Sequence, residues 1–157
     1  MNTATIGTIS HGTLRDEDLL EAFADELERL DGTSGAAKLI DDARETLATL
    51  EDGGEAEDAP EIVNDLIDAL NEHAPPYCYF GATEGDGSDF GFWPSMESLE
   101  EDVHNASVLK MNDGDDVLAA IREHDRVPDY IMSVSDHGNV TLYSLESIET
   151  REVWAIV

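Results

Sequence analysis

Thirty-seven carboxylic acids against eight basic side chains leave this chain of 157 residues a narrow route to compactness. The apolar side chains must be gathered inward at regular spacing, and the acids must stay in water, because burying an unpaired carboxylate is prohibitively costly. Hydrophobic residues supply 41% of the sequence and fall in periodic runs, so the chain reads as folded and not as a disordered acidic tail. A single domain over 1–157 is expected, mainly helical over 1–76 and mixed strand and helix over 77–157.

The helical portion is read from spacing. Leu19, Leu20, Phe23, Leu27 and Leu30 recur at intervals of three and four, which predicts a helix over 13–30 with Thr13 as N-cap. Asp16, Glu17 and Asp18 then lie in the first turn, where the helix dipole favours anions. Leu39, Ile40, Ala43, Leu47 and Leu50 predict a second helix from about 34 to 50. The acidic, Gly-containing stretch over 51–58 reads as a linker, and a third helix starts at Pro60 and carries Ile62, Val63, Leu66, Ile67 and Leu70.

After Pro75-Pro76 the character changes. Tyr77 to Phe80 and Phe90 to Trp93 read as strands joined by the turn chemistry of Gly85-Asp86-Gly87-Ser88-Asp89. A short helix from Pro94 with Ser95 as cap, a strand over 106–111 and a helix capped by Asp113 follow, with Val117, Leu118 and Ile121 inward. Tyr130–Val134 and Val140–Tyr143 flank Asp136-His137-Gly138-Asn139 as a hairpin, and a last strand covers Glu152–Val157. The expected architecture is α+β: an antiparallel sheet of about five strands with helices packed on one face.

Two blocks of sequence carry a resemblance. Tyr79-Phe80-Gly81 leads into Gly85-Asp86-Gly87-Ser88-Asp89-Phe90-Gly91-Phe92-Trp93-Pro94, and Asp136 to Tyr143 is followed by Arg151-Glu152-Val153-Trp154. With the opening Ile9-Ser10-His11-Gly12-Thr13-Leu14-Arg15, these blocks resemble a group of small uncharacterised phage and plasmid proteins. The resemblance covers about a third of the chain and implies a mobile-element origin. It brings no catalytic residues with it, and the extreme acidity is a departure from the group.

Candidate chemistry is sparse. Glu84 to Asp89 alternates oxygen donors, but a calcium EF-hand loop needs Gly at its sixth place and Glu at its twelfth, where this sequence has Asp89 and Ser95. A tight turn is the better reading. Cys78 is the only cysteine and lies in a strand among aromatics, where a buried, inert thiol is expected. His11, His73, His104, His124 and His137 lack metal-ligand spacing; His73 and His124 fall in last turns, where the helix dipole suits them. Of the aromatic patch, one face should line the core. No enzyme activity, cofactor or metal is expected.

The formal charge of −29 therefore has to carry the functional reading. Such a surface gathers no phosphates and is repelled by anionic leaflets, so direct nucleic-acid and membrane binding are excluded as expectations. The N-terminal segment has no basic, apolar leader, and a cytoplasmic location is expected. Residues 1–76 hold 20 acids and 4 bases, and residues 77–157 hold 17 and 4, so the surplus is spread along the chain.

Two explanations stay open. One is a non-enzymatic acidic interaction protein of a mobile element. In its most concrete form it is a DNA-mimic anti-defence inhibitor that binds a basic or DNA-binding host protein. The carboxylates expected to make that contact are Asp16, Glu17, Glu21, Asp25, Glu28 and Asp31 along the first helix, with Asp41, Asp42 and Glu45 on the second. Those same rows are also what the solvated face of an amphipathic helix looks like. The other explanation is a salt-adapted cytoplasmic domain. At molar salt the Debye length falls to about 3 Å, so like charges hardly repel, and the presence of only two Lys fits.

Overall fold

The computed structural model describes residues 2–124, 126–146 and 149–157. The chain forms two compact units, Met1–Pro94 and Ser95–Val157. The first holds strand β1 (Gly7–Ser10), helices α1 (Asp16–Leu30), α2 (Ser34–Glu51) and α3 (Ala59–Glu72), and the hairpin β2 (Cys78–Thr83) and β3 (Asp86–Pro94). The second holds α4 (Met96–His104), β4 (Val108–Asn112), α5 (Val117–Glu123), β5 (Tyr130–Val134), β6 (Val140–Glu146) and β7 (Glu149–Ile156).

The α+β class and the helical N-terminal half stand, but the single antiparallel sheet is corrected. Among the described residues there are two sheets, a three-stranded one ordered β1-β3-β2 and a four-stranded one ordered β4-β5-β6-β7. Alternation marks a run as a strand without naming its partner. The unexpected strand β1 takes the free side of β3, with Gly7 opposite Phe92 and Thr8 opposite Gly91. In the second unit β4 runs parallel to β5, because α5 lies between them in sequence and carries the chain back to the starting end.

The three helices and the first hairpin share one core, so the first unit runs past the helical part to Pro94. Leu19, Leu20, Phe23, Leu27 and Leu30 of α1 are all buried, as their spacing predicts, beside Ile40 of α2 and Leu66 and Leu70 of α3. The core face of the sheet supplies Phe80, Phe90 and Phe92. Phe23 meets Phe80 edge-on at 5.1 Å between ring centroids and Phe90 at 5.4 Å, and Phe80 meets Phe92 at 4.9 Å. Tyr79 and Trp93, a cross-strand pair, occupy the opposite face. The aromatic patch is thus divided between the core and the outer face.

The helix caps depart further from the sequence expectation than the helices do. Arg15, and not Thr13, sits at the N-cap of α1, and Thr13 Oγ1 instead donates to Asp18 Oδ2 at 2.6 Å. Ser95 does cap α4, accepting from the Ser98 N–H. Asp116, and not Asp113, caps α5 by accepting from the Leu118 and Ala119 N–H groups. That cap leaves α5 with seven residues and none of them fully buried; Leu118, expected inward, is 55% exposed. The second unit buries Met132, Leu142 and Trp154 in one row across β5, β6 and β7, with Leu99 of α4 also fully enclosed.

Gly91 marks the tightest approach in the first unit. A Cβ built there would lie 2.1 Å from the Gly7 carbonyl oxygen, so any side chain must push β1 off β3. Gly91→Ala is expected to destabilise the first unit by about 1–3 kcal/mol, seen as a lower denaturation midpoint. Phe23→Ala, which empties the centre of the aromatic cluster, should cost about 3–5 kcal/mol in the same measurement.

Candidate functional site

The acids expected to form a contact row are held in several different ways. Asp16 and Glu17 are half-buried in the first turn of α1, and Glu17 lies 3.4 Å from Arg15. Glu21 is exposed. Asp25 and Glu28 both reach Arg44 of α2, at 3.5 and 2.6 Å, and the hydrogen bond from Arg44 holds Glu28 below the ordinary carboxylate range. Asp31 follows the last turn of α1. Hydrogen bonds from Thr33, then the His73 ring at 3.5 Å, keep its pKa low. On α2, Asp41 and Glu45 are exposed, while Asp42 pairs with Lys38 at 2.6 Å.

Charge density then decides what the α1 row can do alone. From Glu17 to Glu28 the helix rises about 16 Å, a length over which duplex DNA carries roughly ten charges. The α1 stripe of Glu17, Glu21, Asp25 and Glu28 supplies four, and three of these already touch an arginine. The stripe is too thin, and too well neutralised, to stand in for a duplex without help.

A denser surface lies one helix further on. A groove of about 780 Å³ runs between α2, the connection after it, and α3. Asp42 and Glu45 come from α2, Glu55, Glu57 and Asp58 from the connection, and Glu61 and Asp65 from α3. Of these seven, Asp42 alone pairs with a base among the described residues. Helix α3 has four acids and no basic residue at all. Thr46, only 8% exposed, and Ile62 lie beneath the acids.

The sequence does not mark this groove, because 51–58 has the composition of a linker and composition does not say what a connection faces. One signal was present. Glu57, Glu61 and Asp65 recur every fourth residue, and the last two lie one turn apart on α3 with Glu57 just before its start.

The hairpin loop has an arrangement of its own. Ser88 Oγ donates to Asp86 Oδ1 at 2.8 Å, and His11 Nε2 lies 3.3 Å from Asp86 Oδ2. Hydrogen bonds from Ser88, chiefly its backbone N–H, lower the Asp86 pKa. Nucleophile activation needs the imidazole between hydroxyl and carboxylate. Here the carboxylate is in the middle, so nothing removes the Ser88 proton for attack. The loop is a tight turn built on Glu84 and Gly85, the latter at φ 92°. Among the described residues no group of three or more His, Cys, Asp or Glu side chains could hold a metal ion.

Cys78 is half-buried, and burial pushes its thiol up to about 12. The native thiol should therefore react with a disulfide reagent at pH 8 far more slowly than the denatured chain does. Comparable rates before and after denaturation would show the site to be open and ionised.

Among the described residues no helix is long and apolar enough to cross a membrane. No family model matches the chain, and no curated protein or solved structure matches it either.

Proposed function

We propose that this chain is a non-enzymatic interaction protein that offers a carboxylate surface to a basic, DNA-binding partner. The groove between α2 and α3 carries the reading: seven acids line one concave surface and a single lysine neutralises one of them. A site evolved for a polyanion attracts such a surface at long range and pairs with it at close range. The acids of α1, on the same three-helix unit, extend the negative field beyond the groove. The resemblance to phage and plasmid proteins favours a mobile element as the source and a host DNA-processing protein as the target, in the cytoplasm.

The test is capture followed by competition. The protein immobilised at about 0.15 M salt, where the Debye length is about 8 Å, should retain a DNA-binding protein that added duplex DNA displaces. A retained partner indifferent to duplex DNA, or one held equally well at molar salt, would remove the mimicry.

A second reading has its own support. The first unit holds 23 acids and 4 bases and the second holds 14 and 4, so acidity is not confined to the groove-bearing unit. Salt adaptation accounts for such spread, because screening makes a dense carboxylate surface inexpensive only in concentrated salt. It predicts loss of helical circular dichroism when the protein is moved from molar salt to dilute buffer. A spectrum unchanged by that transfer would dispose of it.

A further inference from the structure

Strand β4 lies at the edge of the second sheet, with β5 as its one neighbour. An edge strand turns the N–H and C=O of every other residue away from the sheet, and those groups need a partner. The bonds at the end of β4 fix which residues these are. The Asp113 N–H donates to the Val134 carbonyl on β5. Asn112 turns the other way: its N–H donates to Asp115 Oδ2 at 2.9 Å, and its carbonyl accepts the Asp115 N–H at 3.1 Å. Lys110, two residues back, therefore directs its N–H and C=O to the same outer side. Neither group has a hydrogen-bond partner among the described residues.

That side opens on a groove of about 460 Å³. Four consecutive β4 residues, Leu109 to Asn112, line it, so the groove follows the edge of the strand and not one of its faces. Ala120, Glu123 and His124 of the α5 end, spaced as one helix face, line the opposite wall. The edge of the first sheet at β2 is stopped where β4 is open: the Phe80 N–H is taken by Asn71 Oδ1 at 2.9 Å.

We propose that the free edge of β4 accepts an extended segment of a partner protein as an added strand, laid between β4 and α5, with a basic side chain meeting Glu123. Main-chain bonds to Lys110 hold such a segment, and its alternate side chains read the groove. Charge selects the occupant. Glu123 and Asp115 border the groove, and neither pairs with a base among the described residues. A second copy is a poor fit. It would bring a unit with 14 acids and 4 bases against another like it, and set the same lysine on both edges, which is an ordinary guard against edge-to-edge pairing. This site belongs to the second unit and does not depend on the reading of the α2–α3 groove.

The probes are two blocked pentapeptides, Val-Arg-Val-Arg-Val and Val-Glu-Val-Glu-Val, titrated against the whole protein at about 0.15 M salt. Hydrogen exchange of the Lys110 amide, followed by NMR, reports on the edge. The arginine peptide should slow that exchange roughly tenfold or more and leave the Phe80 amide unchanged; the glutamate peptide should do neither. Methylating every backbone nitrogen of the arginine peptide keeps its side chains, removes its strand donors, and should abolish the protection. Lys110→Pro deletes the outward N–H at a place where an edge strand tolerates proline. It should weaken binding, followed at the Ala120 and Glu123 amides, by roughly tenfold, whereas Lys110→Ala should change it by less than about twofold.

An arginine peptide that leaves Lys110 unprotected, or a methylated peptide that protects it equally, would overturn strand addition. Equal binding of the glutamate peptide would overturn the basic occupant. Protection that grows with protein concentration and needs no peptide would put a second copy on the edge, and the proposal would fall. If Lys110→Pro does not fold, the methylated peptide decides, because it leaves the protein unchanged.

Discussion

Apolar packing around Phe23 is the contact that the charged exterior depends on. Two carboxylates about 7 Å apart in water repel by roughly 0.6 kcal/mol before screening, and a unit with 23 acids and 4 bases contains many such pairs. No surface ion pair offsets that, since exposed pairs contribute little each. The offset comes from side chains such as Phe23, Phe92, Leu66 and Leu70, all fully buried, each contributing about 1.5–3 kcal/mol by leaving water. The helices stay where they are because the aromatic face of β2 and β3 gives α1 and α3 a common surface. Most of the acids are then free to point outward into water.

The few basic residues of the first unit are placed with the same economy. Arg29 grips Glu26 through Nε at 2.8 Å and Nη2 at 2.6 Å, which satisfies a carboxylate only 9% exposed. Without that fork Glu26 would be an unpaired charge at the edge of the core. Arg44 ties α2 to α1 through Glu28 and Asp25, and Lys38 pairs within α2. Arg15 turns to Glu17 at the start of α1. All four bases are spent on α1 and α2. Helix α3 gets none, and the groove beside it keeps its charge for that reason.

How far this could be read from sequence depends on the range of the interaction concerned. Helices whose apolar residues repeat over three or four turns were legible, because the pattern and the burial are the same fact seen twice: Leu20, Phe23, Leu27 and Leu30 are buried at 1% or less. The Ser95 cap was legible because a cap is a contact three residues long. Strand β1 was not, since four residues with two hydroxyls and one Ile show no alternation long enough to read. The partition into two sheets was not, because pairing joins residues far apart in sequence, as Gly7 does with Phe92. Of the nine acids singled out, the structure brings Asp42 and Glu45 into the groove and ties Asp25 and Glu28 to Arg44. The rest of the groove went unseen because its wall is half linker.

The two explanations of the acidity make different demands on where charge is placed, and the molecule answers them in different places. Salt adaptation asks only that carboxylates be many and hydrated, and it is indifferent to concavity. Recognition asks that they converge on a shape, because a partner's charge gains most where several acids reach it at once and water is partly excluded. In the turn before α5 Asp113, Asp115 and Asp116 are exposed, as hydration alone would have them. Between α2 and α3 seven acids line one groove, with the buried side chains of Thr46 and Ile62 beneath them. Hydration alone gives no reason for seven acids to converge on one concave surface. Spread acidity is what hydration needs, and convergence in the groove is what the proposed recognition needs.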